Sequence, residues 1–496
     1  MLGPERFRFL NLTHDLAGAD WDDPVLPRLW RYNLHYFDDL NAQDANVRTV
    51  WHRSLMERWV RDNAPGVGTG WEPYPTSLRI VNWVKWALAD NVVPAECVHS
   101  LAMQARWLSK RIEVHLLGNH LFSNAKALVF AGLYFTGPEA AAWLDKGMGI
   151  LSRELPEQVL PDGGHFELST MYHALALEDL LDLSNLASAF AKEIPTRWQA
   201  TVAGWTSAIA PMRRWLAAMS HPDAMIAFFN DSAFGVAPTL LELERYASRL
   251  GCPPLVPESR SVRHLAASGY VRVDGQDSAA ILDVARIGPD HLPAHAHADT
   301  LSFEMSLFGQ RVIVNSGISE YGSGPERVRQ RGTRAHNTVT IDATNSSEVW
   351  GGFRVARRAN PVGLEIEREE VVTIRCAHDG YQRLKPGVQH ERQWSFAGRS
   401  LTVDDRMTGV FGRAEARFHL HPDVRVDIAG SDITAGRVAL VLAQGQKLRI
   451  SVEGGQLTME QSTWHPEFGV TQSNQCVAVQ FAAPLLSTRF DWEDPA

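Results

Sequence analysis

The sequence predicts an α+β protein of more than one domain, with a helical N-terminal half followed by an antiparallel β-sandwich. Three observations lead there. At 496 residues the chain exceeds the size at which one hydrophobic core keeps growing. From about Val47 to Leu250, apolar residues recur at helical spacing. From about Ser261 onward, alternating or β-branched runs return roughly every eight to twelve residues with turn residues between them. The division is expected at residues 1–255 and 256–496, with the proline-rich stretch between Gly251 and Ser261 as the linker.

Taken in order, residues 1–45 read as irregular, with aromatics clustered from Trp30 to Leu40. Helical periodicity then covers 76–90, 94–113, 120–136, 138–153, 167–188 and 197–219, separated by breakers at Gly66 to Pro75, Gly137-Pro138, Pro161 to Gly164 and Ile194-Pro195. Short turns between successive helices suggest stacked helical hairpins, which an incomplete toroid or an irregular bundle would both satisfy. In the second half GYVRVDG, AAILDVAR, VVTIRCA, SLTVDDRM, RVALVLA and QLTMEQS read as strands, with turns at Asp274-Gly275 and Gly398-Arg399.

Composition narrows the function. With 45% hydrophobic and 21% charged residues the chain is an ordinary globular protein with a large core. A net charge of −9 argues against general nucleic-acid binding while allowing a local basic site for an anionic ligand. Sixteen Trp residues point weakly to sugar-binding platforms. The four cysteines are scattered without a C-x-x-C pair, so neither a thiolate zinc site nor a disulfide framework is expected. Charged residues Glu5, Arg6 and Arg8 stand where a secretory signal would be apolar, so no signal peptide is expected, and no apolar run is long enough for a membrane span.

The richest stretch runs from His291 to Asn337. His295, His297 and Asp299 alternate and lead into LSFEMSL, which reads as the start of a strand whose one face would carry all three. RVIVN reads as its hairpin partner, with the turn at Gly309-Gln310 and Asn315 at its end. His336 and Asn337 precede the strand-like TVTID. Imidazoles gathered with a carboxylate or amide oxygen make a metal or proton-transfer site. A lone His on a sheet is usually structural, but three with an Asp, near Tyr321 and several Arg, are harder to explain as packing.

The helical half carries three polar clusters. In Gly118 to Asn124, His120 and Asn124 share a helix face, and Asn119 is placed to act as an N-cap. In Leu160 to His173, a glycine-bearing loop feeds a helix carrying Tyr172 and His173, although a helical Tyr is usually a core residue. In Trp71 to Arg79, Arg79 is either an anion clamp or a surface charge.

The order of these motifs, an Asn-His pair, a Tyr-His pair, H-x-H-x-D, then H-N-T-V and HERQWSFAGRSLTVDDRMTG, resembles the heparinase II/III-like polysaccharide lyases and related alginate lyases, from about Trp30 to about His421. The resemblance implies an incomplete (α/α) toroid followed by the β-sandwich. It implies Tyr172 as catalytic tyrosine, Asn119 and His120 as groups that meet a uronate carboxylate or assist proton transfer, and His295 as an active-site histidine of the β-half. It further implies a divalent metal, zinc before manganese or calcium, held structurally by His297, His336 and the residue at Asn315, where the family usually has Asp. Arg79, His173, Tyr321 and Arg334 are the expected substrate-binding residues.

The implied reaction is β-elimination at a uronic acid, which needs the carboxylate neutralised, a base at C5 and an acid at the leaving O4. The implied partner is an acidic polysaccharide. Arg327 to Arg334, with Arg354, Arg357 and Arg358, favour glycosaminoglycan over alginate or a bacterial exopolysaccharide. Three rival readings remain: a zinc hydrolase built on H-x-H-x-D, a glycoside hydrolase using Asp162 and Glu167, and a non-catalytic polysaccharide-binding or assembly protein, to which Asn315 and Ser123 would point.

Overall fold

Periodicity decides the architecture. The computed structural model describes residues 1–16, 18, 20–256 and 261–495, so that 257–260 of the expected linker lie outside the described residues. The chain divides into two compact units, one of residues 1–158 and 178–209, the other of 159–177 and 210–496. The change of texture near residue 255 therefore falls inside the second unit, which also takes the loop and first helical turns around Tyr172.

The first unit is helical. Its helices Pro73–Leu88, Ala95–Ser109, Gly118–Tyr134 and Pro138–Gln158 follow the periodic segments closely. Gly118–Tyr134 and Pro138–Gln158 pack with their backbones almost touching. A Cβ at Gly132 would lie 2.6 Å from the Leu144 nitrogen and one at Gly147 would lie 2.7 Å from the Ala125 carbonyl oxygen, so the contact requires glycine at both positions. The expectation of an irregular start fails. A hairpin of Arg6–Phe9 with Leu12–Asp15 precedes a helix at Arg28–Tyr36, which buries Trp30 and Leu34 one turn apart on one face and His35 and Tyr36 at its C-terminal end.

The second unit is built on antiparallel sheets. An eight-stranded sheet runs in the order 361–368, 372–378, 388–397, 400–409, 485–493, 447–453, 437–441, 425–432. A four-stranded sheet (456–464, 472–481, 414–419, 339–341) and a five-stranded one (262–265, 270–274, 278–283, 303–307, 310–313) are joined by a bridge from Ile313 to Leu420. Residues from all three sheets meet in one core, including Phe303, Val339, Trp394, Leu401, Phe418 and Phe490. Strand Val388–Ala397 shows why: every second residue is buried. The same alternation puts His390 and Arg392 inside, where Asp405 pairs with both. Arg392 also donates to the carbonyls of Leu301 (2.9 Å) and Asn337 (2.6 Å), so the HERQW motif anchors the two loops that carry Asp299 and His336.

Two local expectations are corrected. The hairpin of Phe303–Leu307 with Gln310–Ile313 turns at Phe308-Gly309, both with positive φ, one residue earlier than expected. His295 to Asp299 lie in a loop before the strand, so strand alternation does not set their directions. Their positions are set by tertiary hydrogen bonds.

Candidate active site and metal site

Asp231 is the hub of the second unit's polar cluster. Asn230, held at φ 57°, donates from its side chain to the Leu168 carbonyl (2.9 Å) and accepts from the His297 backbone N–H (3.0 Å), which fixes the segment against both neighbouring loops. Ser169 Oγ donates to the Asp231 carbonyl (2.6 Å) and Thr170 Oγ1 to that of Ala227 (2.5 Å), so the helix starting at Thr170 is stitched to the same segment. The Asp231 side chain, wholly buried, accepts from His295 Nδ1 (2.8 Å), His297 Nε2 (2.8 Å) and both terminal nitrogens of Arg327. Burial alone would raise its pKa, but the Arg327 charge and the two imidazole donors outweigh that and hold it well below the ordinary carboxylate range.

Tyr172 sits in the first turn of its helix, its ring packed at 4.0 Å between centroids on the ring of His295. Its hydroxyl lies 3.0 Å from that of Tyr321. Burial, and then the Asp231 charge, push the Tyr321 phenol well above its ordinary pKa, so Tyr321 stays protonated. Because Asp231 can only accept, His295 carries its proton on Nδ1 in the neutral form and presents Nε2, which lies 3.8 Å from Glu167 Oε2. Arg327 stacks against Tyr321 and Phe353 at 5.0 and 5.4 Å. The arrangement offers a phenol that can give or take a proton, an oriented imidazole and a neutral phenol donor beside them.

The metal candidate lies behind this group. His297, Asp299 and His336, all buried, offer ligand atoms within 4.8 Å of one another. His336 Nδ1 donates to the Gly332 carbonyl (2.9 Å) and His297 Nε2 to Asp231, so the remaining nitrogens, His297 Nδ1 and His336 Nε2, face each other 3.0 Å apart as lone pairs. Burial lowers both imidazole pKa values, that of His336 to about 4, so a proton between them is disfavoured near neutral pH. Two facing lone pairs beside a carboxylate fit a cation, with Asp231 and Gly332 as the outer partners that orient the rings. Asn315 is differently engaged: its amide donates to the Phe228 carbonyl (3.0 Å) and its oxygen accepts from the backbone and side chain of Asn337 (3.2 Å each). The structure thus offers Asp299 as the oxygen donor where the sequence pointed to Asn315.

In the first unit, the helix Gly118–Tyr134 is preceded by Leu117 as its N-cap residue, so Asn119 stands within the first turn rather than capping it. His120 stacks on Tyr74 at 4.3 Å, and its Nδ1 lies 3.2 Å from Glu113 Oε2. Asn124 holds Glu113 through its backbone N–H (2.9 Å) and its carboxylate (3.1 Å). Arg79 is wholly buried, stacked 3.9 Å above Trp59 and bonded to Gln104 and to the carbonyls of His35 and Gly70, so its donors serve the helical core. In the second unit His173 is likewise sealed, accepting from the His165 N–H and donating to the Met212 carbonyl while stacked on Trp215. Arg334 is half exposed and pairs with Glu415 at 3.2 Å.

Sequence reasoning missed Asp231 and Glu113 altogether and saw Arg327 only as one of a basic run. The signal for Asp231 was slight, a polar N-D-S after the buried run IAFF. Nothing local links it to H-x-H-x-D across more than sixty residues.

Comparison with known proteins decides the family. Residues 59–248 match the family model "Heparinase II/III N-terminus" and residues 257–493 match "Heparinase II/III-like, C-terminal". The chain belongs to the heparinase II/III-like family. Within it, a heparin-sulfate lyase of Bacteroides stercoris is 29% identical over 323 residues, 60% of this chain and 45% of the relative. The match thus spans less than half of that relative's length. The FtsZ-localized protein C of Caulobacter vibrioides is 26% identical over 447 residues, 83% of this chain and 73% of the relative. The crystal structure of heparinase III superposes with a TM-score of 0.75 at 18% identity, covering 93% of this chain and 77% of that one, a likeness of fold. The helical N-terminal fold and C-terminal β-sandwich are therefore those of the heparinase II/III-like family.

Proposed function

We propose that the protein is a polysaccharide lyase that cleaves a glycosaminoglycan-type chain at its uronic acids by β-elimination, leaving a 4,5-unsaturated uronate end. Family membership supports the class, and the stacked Tyr172–His295 pair on a buried Asp231–Arg327 anchor is the observation that carries the reading. The heparin-sulfate lyase relative favours heparan-type chains within that class.

Elimination requires the C5 proton to leave while the adjacent carboxylate is kept from building up charge. Tyr321, kept protonated by burial, has its hydroxyl 3.0 Å from that of Tyr172, within reach to donate to a Tyr172 phenolate when one forms. Tyr172 then takes the C5 proton and returns it to O4 as the glycosidic bond breaks. Where the C5 configuration is opposite, His295 Nε2 takes the proton and Tyr172 protonates the leaving oxygen. Asn119 and His120, in the first unit, remain candidates for binding an acidic polysaccharide, and alanine substitution of either is expected to weaken that binding. The His297, Asp299 and His336 site is proposed to hold zinc, whose preference for imidazole with one carboxylate these donors match better than calcium's for oxygen alone. Its part is to fix the loop that carries His295.

The deciding measurement is ultraviolet absorbance of the unsaturated uronate on incubation with heparan sulfate, chondroitin sulfate, hyaluronan and alginate, with Tyr172→Phe alongside. A rise with wild type, reduced about a thousandfold in the variant, is expected. No rise with any polymer, together with binding of one of them, would favour the second reading, a non-catalytic polysaccharide-binding or assembly protein.

A further inference from the structure

The hairpin of Glu348–Trp350 with Arg354–Ala356 carries two large aromatics in the open, Trp350 at 50% and Phe353 at 42% exposure. Exposed aromatics on a short hairpin are costly to leave in water and, singly, need no explanation. Phe353 is different because of where it is held. Its ring lies 5.5 Å from that of Tyr321 and 5.9 Å from that of His295, edge to face in both cases, with the Arg327 guanidinium 5.4 Å away.

The backbone beneath it is fixed. Arg327 Nε donates to the Gly352 carbonyl (3.1 Å), and Arg331, wholly buried, donates to the Gly351 and Arg354 carbonyls (3.3 and 3.4 Å). A Cβ at Gly352 would lie 2.5 Å from the Gly322 carbonyl oxygen, so the tip is seated on a neighbouring loop that only glycine can approach so closely. The same Arg327 that locks Asp231 therefore also holds the backbone next to Phe353, whose ring stands edge to face with that of His295. A rigid, half-open aromatic face beside a catalytic pair is a preorganised stacking surface.

We propose that Phe353 is a sugar-stacking platform, a subsite that takes the apolar C–H face of a pyranose ring neighbouring the one that reacts. The C–H bonds of that face carry partial positive charge and meet the negative face of the phenyl ring. Arg327, already neutralised by Asp231, offers this ring no net charge, so the platform selects for ring shape and not for sulfation. The inference rests on the lyase reading for its substrate.

The test pairs kinetics with binding. With a heparan-type polymer, Phe353→Ala raises KM about tenfold with kcat changed less than threefold, while Phe353→Tyr keeps the wild-type KM. In the Tyr172→Phe background, calorimetric titration with an unsulfated and a sulfated uronate oligosaccharide shows the same fold loss for both on adding Phe353→Ala. An active wild type with an unchanged KM in Phe353→Ala overturns the platform and leaves the lyase reading standing. A wild type that binds but does not cleave, with binding weakened by Phe353→Ala, upholds the platform and overturns the lyase reading. A loss confined to the sulfated oligosaccharide overturns the proposal in favour of a charge contact. Circular dichroism of Phe353→Ala matching wild type confirms that the hairpin change has not unfolded the loop.

Discussion

Two clusters in the β-rich unit are made of the same parts. In one, Asp231 accepts hydrogen bonds from His295, His297 and Arg327; in the other, Asp405 accepts them from His390 and Arg392, with His378 behind. Both carboxylates are wholly buried and both are held below the ordinary carboxylate range, Asp405 at about 2, because an adjacent guanidinium and imidazole outweigh the cost of burial. The difference is closure. The Gly380 N–H donates to His378 Nδ1, His378 Nε2 donates to His390 Nδ1, and His390 Nε2 donates to Asp405, so every nitrogen in that chain is satisfied and sealed. In the first cluster His295 keeps a partly exposed side chain and an Nε2 that, among the described residues, has Glu167 as its nearest acid at 3.8 Å, and a tyrosine lies on its face. Composition does not make a reactive site; a lone pair left facing outward at its edge can.

The largest effect should come from opening the closed cluster. Asp405→Asn leaves Arg392 buried without its counter-charge and is expected to lower stability by about 3–5 kcal/mol, read by urea unfolding. The pH dependence has a definite sign. Because the folded pKa is depressed, the carboxylate's contribution is present above the unfolded value near 4 and is lost as pH falls toward about 2. The gap between wild type and Asp405→Asn should therefore narrow by roughly 2 kcal/mol across that window. A gap that stays constant with pH would mean that ionisation of Asp405 contributes nothing.

Substituting the paired histidines sharpens the contrast. His390→Gln should cost about 2–3 kcal/mol of stability, since it strands a buried partner on each side. His295→Gln should cost under about 1 kcal/mol but reduce the proposed lyase activity roughly a hundredfold. Equal thermal effects would erase the distinction between sealed and open clusters. The smallest effect concerns the cation. Elemental analysis should find one equivalent of zinc, and its removal by a chelator should lower Tm by a few degrees, with His336→Ala abolishing both the metal and the shift. A chelator shift that survives in His336→Ala would move the metal elsewhere.

Much of this was legible in residue order. The helical segments after residue 75 and the strands after residue 269 follow from periodicity, because burial of one face is a local demand on sequence. Helix Arg28–Tyr36 escaped because its buried face is largely aromatic and its flanks are crowded with turn residues. In the site, Tyr172, His295, His297 and His336 stood out because histidines and a tyrosine at close spacing are chemically conspicuous.

What the sequence alone determined is which residues carry protons and where apolar faces must be buried. Only the tertiary structure decided their company: that His295, His297 and Arg327 share Asp231, that Asp299 stands beside His297 and His336 while the Asn315 amide is spent on Asn337 and Phe228, and that Arg79 and His173 serve the core. Hydrogen-bond partners for a buried polar group come from whichever loops the fold brings within about 3 Å, and chain distance places no limit on which those are.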